Sequence, residues 1–269
     1  MEKYDADVVK APRAAIAFTG GKDSVLALHL VSAKFRALVT NEQTKAQLHN
    51  IEQLNPVILV SFRPAGQQDE FKAHGYEWTL KLASSLGMPL VVKEISNTPS
   101  FEDSYRSRIK ELADEYQVTR LVTGDIEDIG EGFMDRAVTQ TGVELARPLW
   151  KLPRLKVLDL LAHLQIDYIV TMTLLDKLPT SISERLVGHL VTQQYLLDQF
   201  DWYDSNHPPL DLRNTVDLAG EYGEMHSMVR DCPLFSFQVV HLGKIRKVHQ
   251  TKYGSYMYLC PDKIHIVPK

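Results

Sequence analysis

The stretch Ala14-Ala15-Ile16-Ala17-Phe18-Thr19-Gly20-Gly21-Lys22-Asp23-Ser24-Val25-Leu26-Ala27-Leu28-His29-Leu30-Val31 decides the fold. Its first five residues are all apolar, which suits a strand buried on both faces of a parallel sheet. From Ser24 onward, helix formers place apolar residues on one face. Two adjacent glycines lie between, where backbone can take φ > 0 and approach a ligand without a Cβ clash. Strand, tight turn and helix in that order predict an anion nest, with backbone N–H groups at the positive end of a helix dipole. Thr19 and Ser24 add hydroxyl donors, Lys22 a positive charge, and Asp23 a carboxylate suited to Mg²⁺. The string lacks the glycine spacing of a Walker A loop and the GxGxxG of a dinucleotide fingerprint. A bare glycine pair would be a structural turn; six such residues after a buried strand are more specific.

Working outward, Thr40 to Leu54 reads as a polar, helix-like stretch and Pro56–Phe62 as a second buried strand, ending at Arg63-Pro64-Ala65-Gly66. Glu77–Leu86 is helical by period, with Trp78, Leu82 and Leu86 in register. Pro89–Ile95 reads as a third strand. Phe101–Tyr116 is a helix turning Tyr105, Ile109, Leu112 and Tyr116 inward, and Arg120–Thr123 a fourth strand closed by Gly124-Asp125-Ile126. Alternating strands and helices mean right-handed βαβ crossovers and a mostly parallel sheet. The loops Thr19–Ser24, Ser61–Gly66 and Gly124–Asp128 should gather at one sheet edge, where such folds bind ligands.

After Asp128 the texture changes, and a boundary near Ile129 divides the chain into 1–128 and a smaller C-terminal α/β domain, 129–269. There, Val157–Gln165 reads as a helix, Tyr168–Met172 as a strand and Ser183–Phe200 as one long helix. Phe235–Val240 and Tyr256–Leu259 read as strands of a small terminal sheet.

The chain has 269 residues, a 44% apolar fraction and a formal net charge of −4. That balance argues against a general nucleic-acid binder, though net charge averages over faces. Cys232 and Cys260 stand far apart, which excludes a disulfide framework and a cysteine zinc site. Cys232, beside proline and two apolar residues, reads as a buried small hydrophobe. The polar start, Met1 to Arg13, has no signal-peptide pattern, and no apolar run is long enough for a bilayer, so a cytoplasmic protein without membrane partners is expected. The histidines form no helix-spaced zinc pair.

Thr19–Ser24 resembles the SGGxDS signature of the PP-loop ATP pyrophosphatases, with Thr in place of the first Ser. Further on, Ala219-Gly220-Glu221-Tyr222-Gly223-Glu224 with Asp231-Cys232-Pro233-Leu234-Phe235 resembles the GExGE…DxPLF block of the diphthine–ammonia ligase family. Arg147-Pro148-Leu149-Trp150, Phe62-Arg63-Pro64 and Gly124-Asp125-Ile126 resemble further landmarks of that family, in its order, from about Ala14 to Phe235. Residues 236–269 match only loosely. Met225-His226-Ser227-Met228 stands where Glu-Thr is usual, with Ser227 keeping a hydroxyl. Phe133 and Asp135 stand where an Arg-x-Glu pair is usual, so the arginine is lost or displaced.

The resemblance implies an adenine-nucleotide α-hydrolase-like, Rossmann-like fold. It also implies that ATP is attacked at its α-phosphate by a substrate carboxylate, pyrophosphate leaves, and ammonia displaces AMP. The implied carboxylate is that of diphthine, a modified histidine on translation elongation factor 2. Thr19, Gly20, Gly21, Lys22 and Ser24 would hold phosphates, Asp23 would bind Mg²⁺, Asp125 would orient Mg²⁺ or the adenylate, and Ser61 and Phe62 would line the nucleotide. Glu221 and Glu224 would face ammonia or the cationic modified histidine, with Trp150 or Tyr222 stacking on the cation. Two rivals share the fold: a PP-loop enzyme adenylating a tRNA base, which should show a basic flank, and a nucleotide-binding protein without turnover, which has no need of Asp23.

Overall fold

A computed structural model describes residues 11–39, 41–66, 73–243, 245–252 and 254–269, with the side chains at 43, 44 and 47 left aside. Most of the polar N-terminal segment and Thr40, the first residue of the polar helix-like stretch, lie outside the described residues. The chain divides into two compact units of comparable length. The first takes the described residues of Met1–Thr19, Asp23–Glu70 and Leu86–Lys151; the second those of Gly20–Lys22, Phe71–Ser85 and Leu152–Lys269.

The first unit is an α/β layer on an all-parallel sheet of order β3-β2-β1-β4-β5. Its strands are β1 (Arg13–Ala17), β2 (Asn55–Pro64), β3 (Leu90–Ile95), β4 (Arg120–Val122) and β5 (Glu144–Ala146). β1 is central, between β2 and β4, and Ala14, Ala15 and Ile16 are fully buried, as its unbroken apolar run requires. Helices α1 (Lys22–Val31), α2 (Ala33–Leu38) and α3 (Glu42–Leu48) lead to β2, while α4 (Tyr76–Leu86), which precedes β3 in the chain, belongs to the second unit up to Ser85. α5 (Phe101–Tyr116) joins β3 to β4, and α6 (Phe133–Val138) precedes β5.

α5 matches its expected span. Ser100 caps it by accepting the Asp103 N–H at 3.0 Å, Glu102 and Asp103 complement the dipole, and Gln117 ends it at φ 54°. Its inward stripe packs Ile109 and Leu112 with Ala15, Ile58, Val60 and Leu121, while Tyr105 and Tyr116 flank them half-buried. Each such aliphatic contributes about 1.5–3 kcal/mol by leaving water.

The second unit is mostly antiparallel, which corrects the expectation of a smaller α/β domain. Its elements are α7 (Arg154–His163), β6 (Asp167–Leu174), α8 (Thr180–Leu186), α9 (Gln193–Asn206), α10 (Leu212–Thr215), β7 (Met225–Asp231), β8 (Phe237–Leu242), β9 (Ile245–Thr251), β10 (Gly254–Cys260) and β11 (Lys263–Pro268). One sheet has the order β7-β6-β10-β9, and β11 pairs with β8 as a separate ribbon.

Residues 129–151, placed with the second domain by their change of texture, pack as α6 and β5 on the parallel sheet. The expected long helix Ser183–Phe200 is two helices. Gly188 turns at φ 82° and donates to the Val170 carbonyl, Val191 donates to that of Tyr168, and Thr192 caps α9. β10 pairs with β6 only over Met172–Leu174. The 187–191 segment thus satisfies backbone groups of β6 that a continuous helix would leave without partners.

Candidate functional site

In the first unit, strand order reverses between β1 and β4, so the loops after these strands flank the crevice position of an open parallel sheet. Thr19 is exposed, Asp23 half-buried and Ser24 buried at the opening of α1. Gly124, just after β4, fits against them closely. A Cβ there would meet the Asp23 carbonyl carbon at 2.7 Å and the Ser24 nitrogen at 2.9 Å.

Asp125 follows directly, half-buried, and accepts the Thr123 hydroxyl at 2.7 Å. Burial raises its carboxyl above the ordinary value, opposed by that hydrogen bond and by Arg147. Tyr105 lies in the same surroundings, its phenol pushed up to about 12 by burial and then by the Asp125 charge. Phe62 packs on Tyr105 at 4.8 Å between ring centroids, and Phe133 meets the same ring edge-on at 5.1 Å. Phe62 and Ser61 lie inside β2, which continues to Pro64, and the buried Ser61 hydroxyl accepts from Arg63 Nε.

Beside Asp125 opens a pocket of about 130 Å³, lined among others by Glu127, Phe133, Asp135, Arg147 and Trp150. The Arg147 guanidinium grips Asp135 through two bonds, 2.9 and 2.8 Å, and lies 3.8 Å over the Trp150 ring. Asp135 is therefore paired with an arginine, contributed by the Arg147-Pro148-Leu149-Trp150 string rather than from position 133. That string is tied to the β4 loop where the Lys151 N–H meets the Ile126 carbonyl at 2.7 Å.

In the second unit, Gly20–Lys22 run against β7. The Val229 N–H donates to the Gly20 carbonyl at 2.9 Å, and the Lys22 N–H donates to the Ser227 hydroxyl at 3.2 Å. Gly20 holds φ 80°, and a Cβ would strike Leu82 and Met228. The Lys22 side chain is 3% exposed, and its ammonium donates to the Ala219 carbonyl at 2.5 Å. The 217–224 segment that presents this carbonyl is anchored by Asp217, which takes the Ala219 N–H and the Arg154 guanidinium. His226 stacks edge-on against His74 at 5.3 Å. Burial, and then the charge of Lys22, hold its imidazole down at about 4.

The two glutamates of this segment differ in setting. Glu224 is 3% exposed, takes the Lys177 ammonium at 2.9 Å and accepts the Tyr222 N–H at 3.0 Å. Glu221 is half-buried, and its backbone N–H reaches Asp217 at 3.4 Å. Lys177 also lies 5.6 Å from the Tyr222 ring, so Trp150 and Tyr222 each face a cation of the chain itself. Cys232 is buried and its thiol pushed up to about 12 by burial, the state of an inert packing residue. No protein-family model matches the chain, and no curated protein matches it.

Sequence reasoning missed Lys177, which stands 47 positions from its partner with no motif around it. The arginine sought at position 133 is Arg147, twelve positions after Asp135, in the Arg147-Pro148-Leu149-Trp150 string. Ser227 carried a signal, a hydroxyl kept in the signature block.

Proposed function

We propose that this protein is an ATP-dependent amide ligase of the PP-loop type. It adenylates a carboxylate, that of diphthine on translation elongation factor 2, and passes the acyl group to ammonia with release of AMP and pyrophosphate. One observation carries the reading. The Thr19–Ser24 loop follows the central strand of a parallel sheet at its reversal point, with the Gly124 backbone packed against Asp23 and Ser24. Such a loop presents N–H donors and a helix N-terminus to a phosphate.

In this reading the loop takes the pyrophosphate, and Thr19 and Ser24 donate to its oxygens. Lys22, whose ammonium donates to the Ala219 carbonyl, adds positive charge to the loop. The carboxylate oxygen of the substrate attacks the α-phosphorus and the bond to pyrophosphate breaks. Ammonia then attacks the acyl carbon, the bond to AMP breaks, and the nitrogen sheds its proton. Asp125 orients the adenylate from the end of β4. Catalysis of this kind rests on positioning and charge neutralisation.

Asp23, half-buried beside the Ser24 hydroxyl, fits Mg²⁺, which keeps waters and substrate phosphates and needs only one or two carboxylates. Bound there, Mg²⁺ would supply neutralisation of phosphate charge. Among the described residues no group of three or more His, Cys, Asp or Glu side chains gathers around a metal position. Glu224, held by Lys177, reads as a clamp that shapes the 219–224 turn, leaving Glu221 as the residue of the pair to face the amine.

The decisive experiment combines the purified protein with Mg-ATP, ammonium and diphthine-bearing elongation factor 2 and measures AMP and pyrophosphate. Release that depends on the factor, and is lost in Asp23→Asn, is the expected outcome. Release without dependence on the factor would remove the substrate, and full activity of Asp23→Asn would remove the loop assignment.

A further inference from the structure

The pocket of about 130 Å³ beside Asp125 has a lining whose charge the chain itself does not balance. It opens just past the carboxyl end of β4, next to the point where the strand order of the parallel sheet reverses. Open parallel sheets take their ligands at such a position. All the residues that line it belong to the first unit.

Four carboxylates line it, Asp125, Glu127, Asp128 and Asp135, against one cation, Arg147. That guanidinium is committed, gripped by Asp135 through two bonds and laid on the Trp150 ring. Asp128 accepts the Gly132 N–H at 2.7 Å, and Asp125 the Thr123 hydroxyl. Both of these donors are neutral, so the bonds orient the carboxylates and leave their charge in place. The Asp125 carboxyl registers the excess, raised first by burial and then by the charges of Asp135 and Asp128.

This lining narrows the occupant. An anion would meet three carboxylates in excess. Without a substrate phosphate to share it, a metal ion needs several protein donors on one point, and among the described residues no three His, Cys, Asp or Glu side chains gather so. An ammonium ion is water-sized, and the pocket has room for several groups of roughly 30 Å³. A quaternary ammonium donates no hydrogen bond and is held by aromatic cages, whereas here carboxylates outnumber the two rings, Phe133 and Trp150. An extended cation, with N–H donors at separate points and a carbon stem between them, suits dispersed carboxylates and an apolar wall together.

We propose that this pocket binds a short aliphatic diamine, its two ammonium groups taken by different carboxylates and its methylene stem lying against Phe133. The pocket already holds one cation of the chain by the same means, since Arg147 sits between a carboxylate and a ring. The site does not depend on the phosphate loop or on the reaction assigned to it: a chain that releases no pyrophosphate would still bind the diamine.

The test titrates the full chain with 1,4-diaminobutane by calorimetry, beside butylamine, 1,4-butanediol, tetramethylammonium, ammonium and Mg²⁺. Diaminobutane should bind about fivefold or more tighter than butylamine or ammonium, and more weakly as salt rises. The neutral diol should not bind. Glu127→Gln and Asp128→Asn, which keep side-chain shape, should each weaken the diamine about twofold to fivefold, and Phe133→Leu by a smaller factor. Thermal melts check that the variants fold; the ligand series on the unaltered chain tests the proposal even where one does not. No binding of diaminobutane, equal binding of the diol, tighter binding of Mg²⁺ or tetramethylammonium, or full affinity in both folded carboxylate variants would each overturn the proposal.

Discussion

Replacing Gly124 with alanine probes the contact that sets the start of α1 against the end of β4. The added Cβ would lie 2.7 Å from the Asp23 carbonyl carbon, 2.9 Å from its oxygen and 2.9 Å from the Ser24 nitrogen. All three are backbone atoms, so no side-chain rotation relieves the clash. Carbon atoms pack best at about 3.5–4.0 Å, so the end of β4 and the start of α1 must part by roughly 1 Å. Overpacking of this kind costs about 1–3 kcal/mol, and a backbone clash belongs in the upper half of that range. At about 2–4 °C per kcal/mol for a chain of this size, Tm should fall by roughly 4–12 °C. Gly75→Ala is the matched control, since a Cβ there meets nothing within 4 Å, and its expected effect is neutral or a few tenths of a kcal/mol stabilising. The assay is thermal unfolding of both variants by circular dichroism, with pyrophosphate release measured alongside. If Gly124→Ala melts with the control and turns over ATP normally, the close approach of the two segments is not there and the reasoning fails.

Glu224→Ala should cost about 1–3 kcal/mol in urea unfolding, because it removes a buried acceptor of the Tyr222 N–H and one of the two oxygens that take the Lys177 ammonium. Unchanged stability with lost turnover would instead place Glu224 in the reaction. Folded His226 resists protonation down to about 4, against an ordinary 6.5, so the unfolded chain binds the extra proton between these values. Stability should therefore be lost as pH falls through that window, by about 1–3 kcal/mol, and His226→Gln should flatten the slope. Asp125 has the opposite sign: its carboxyl is raised above 3.8, so the stability linked to its neutral form is lost as pH rises past that value. Asp125→Asn should raise Tm at neutral pH, with the gain vanishing in acid; a gain that persists in acid would point to packing.

Much of the first unit was legible because its signals are local. The apolar run at Ala14–Phe18, the glycine pair, and the 3.6 period with Ser100 before Phe101–Tyr116 each declare an element within a few residues. In the second unit the same local signal made Trp78 and Leu82 readable as a buried stripe, at 2% and 0% exposure, with Leu86 next in line at 5%. β5 was not readable, because Glu144-Leu145-Ala146 is three residues without a β-branched one, whereas the equally short β4 carries Leu121-Val122 and runs into Thr123. β7 hid behind the glycine-rich turn before it and a mixed string, Met225–Asp231, whose burial follows from pairing with β6. β9 reads as polar because both its faces are exposed.

The sequence by itself determined the parallel core and the position of the glycine loop between a buried strand and a helix, since strand and helix periods are written in neighbouring residues. Tertiary structure alone decided which charges meet. Lys22 donates to Ala219, 197 positions away, and Arg147 rather than a residue at 133 pairs with Asp135. It also turned one of two signature glutamates into a buried partner of Lys177. Contacts of this kind are set by how strands register and loops close, and leave no periodic trace in the chain.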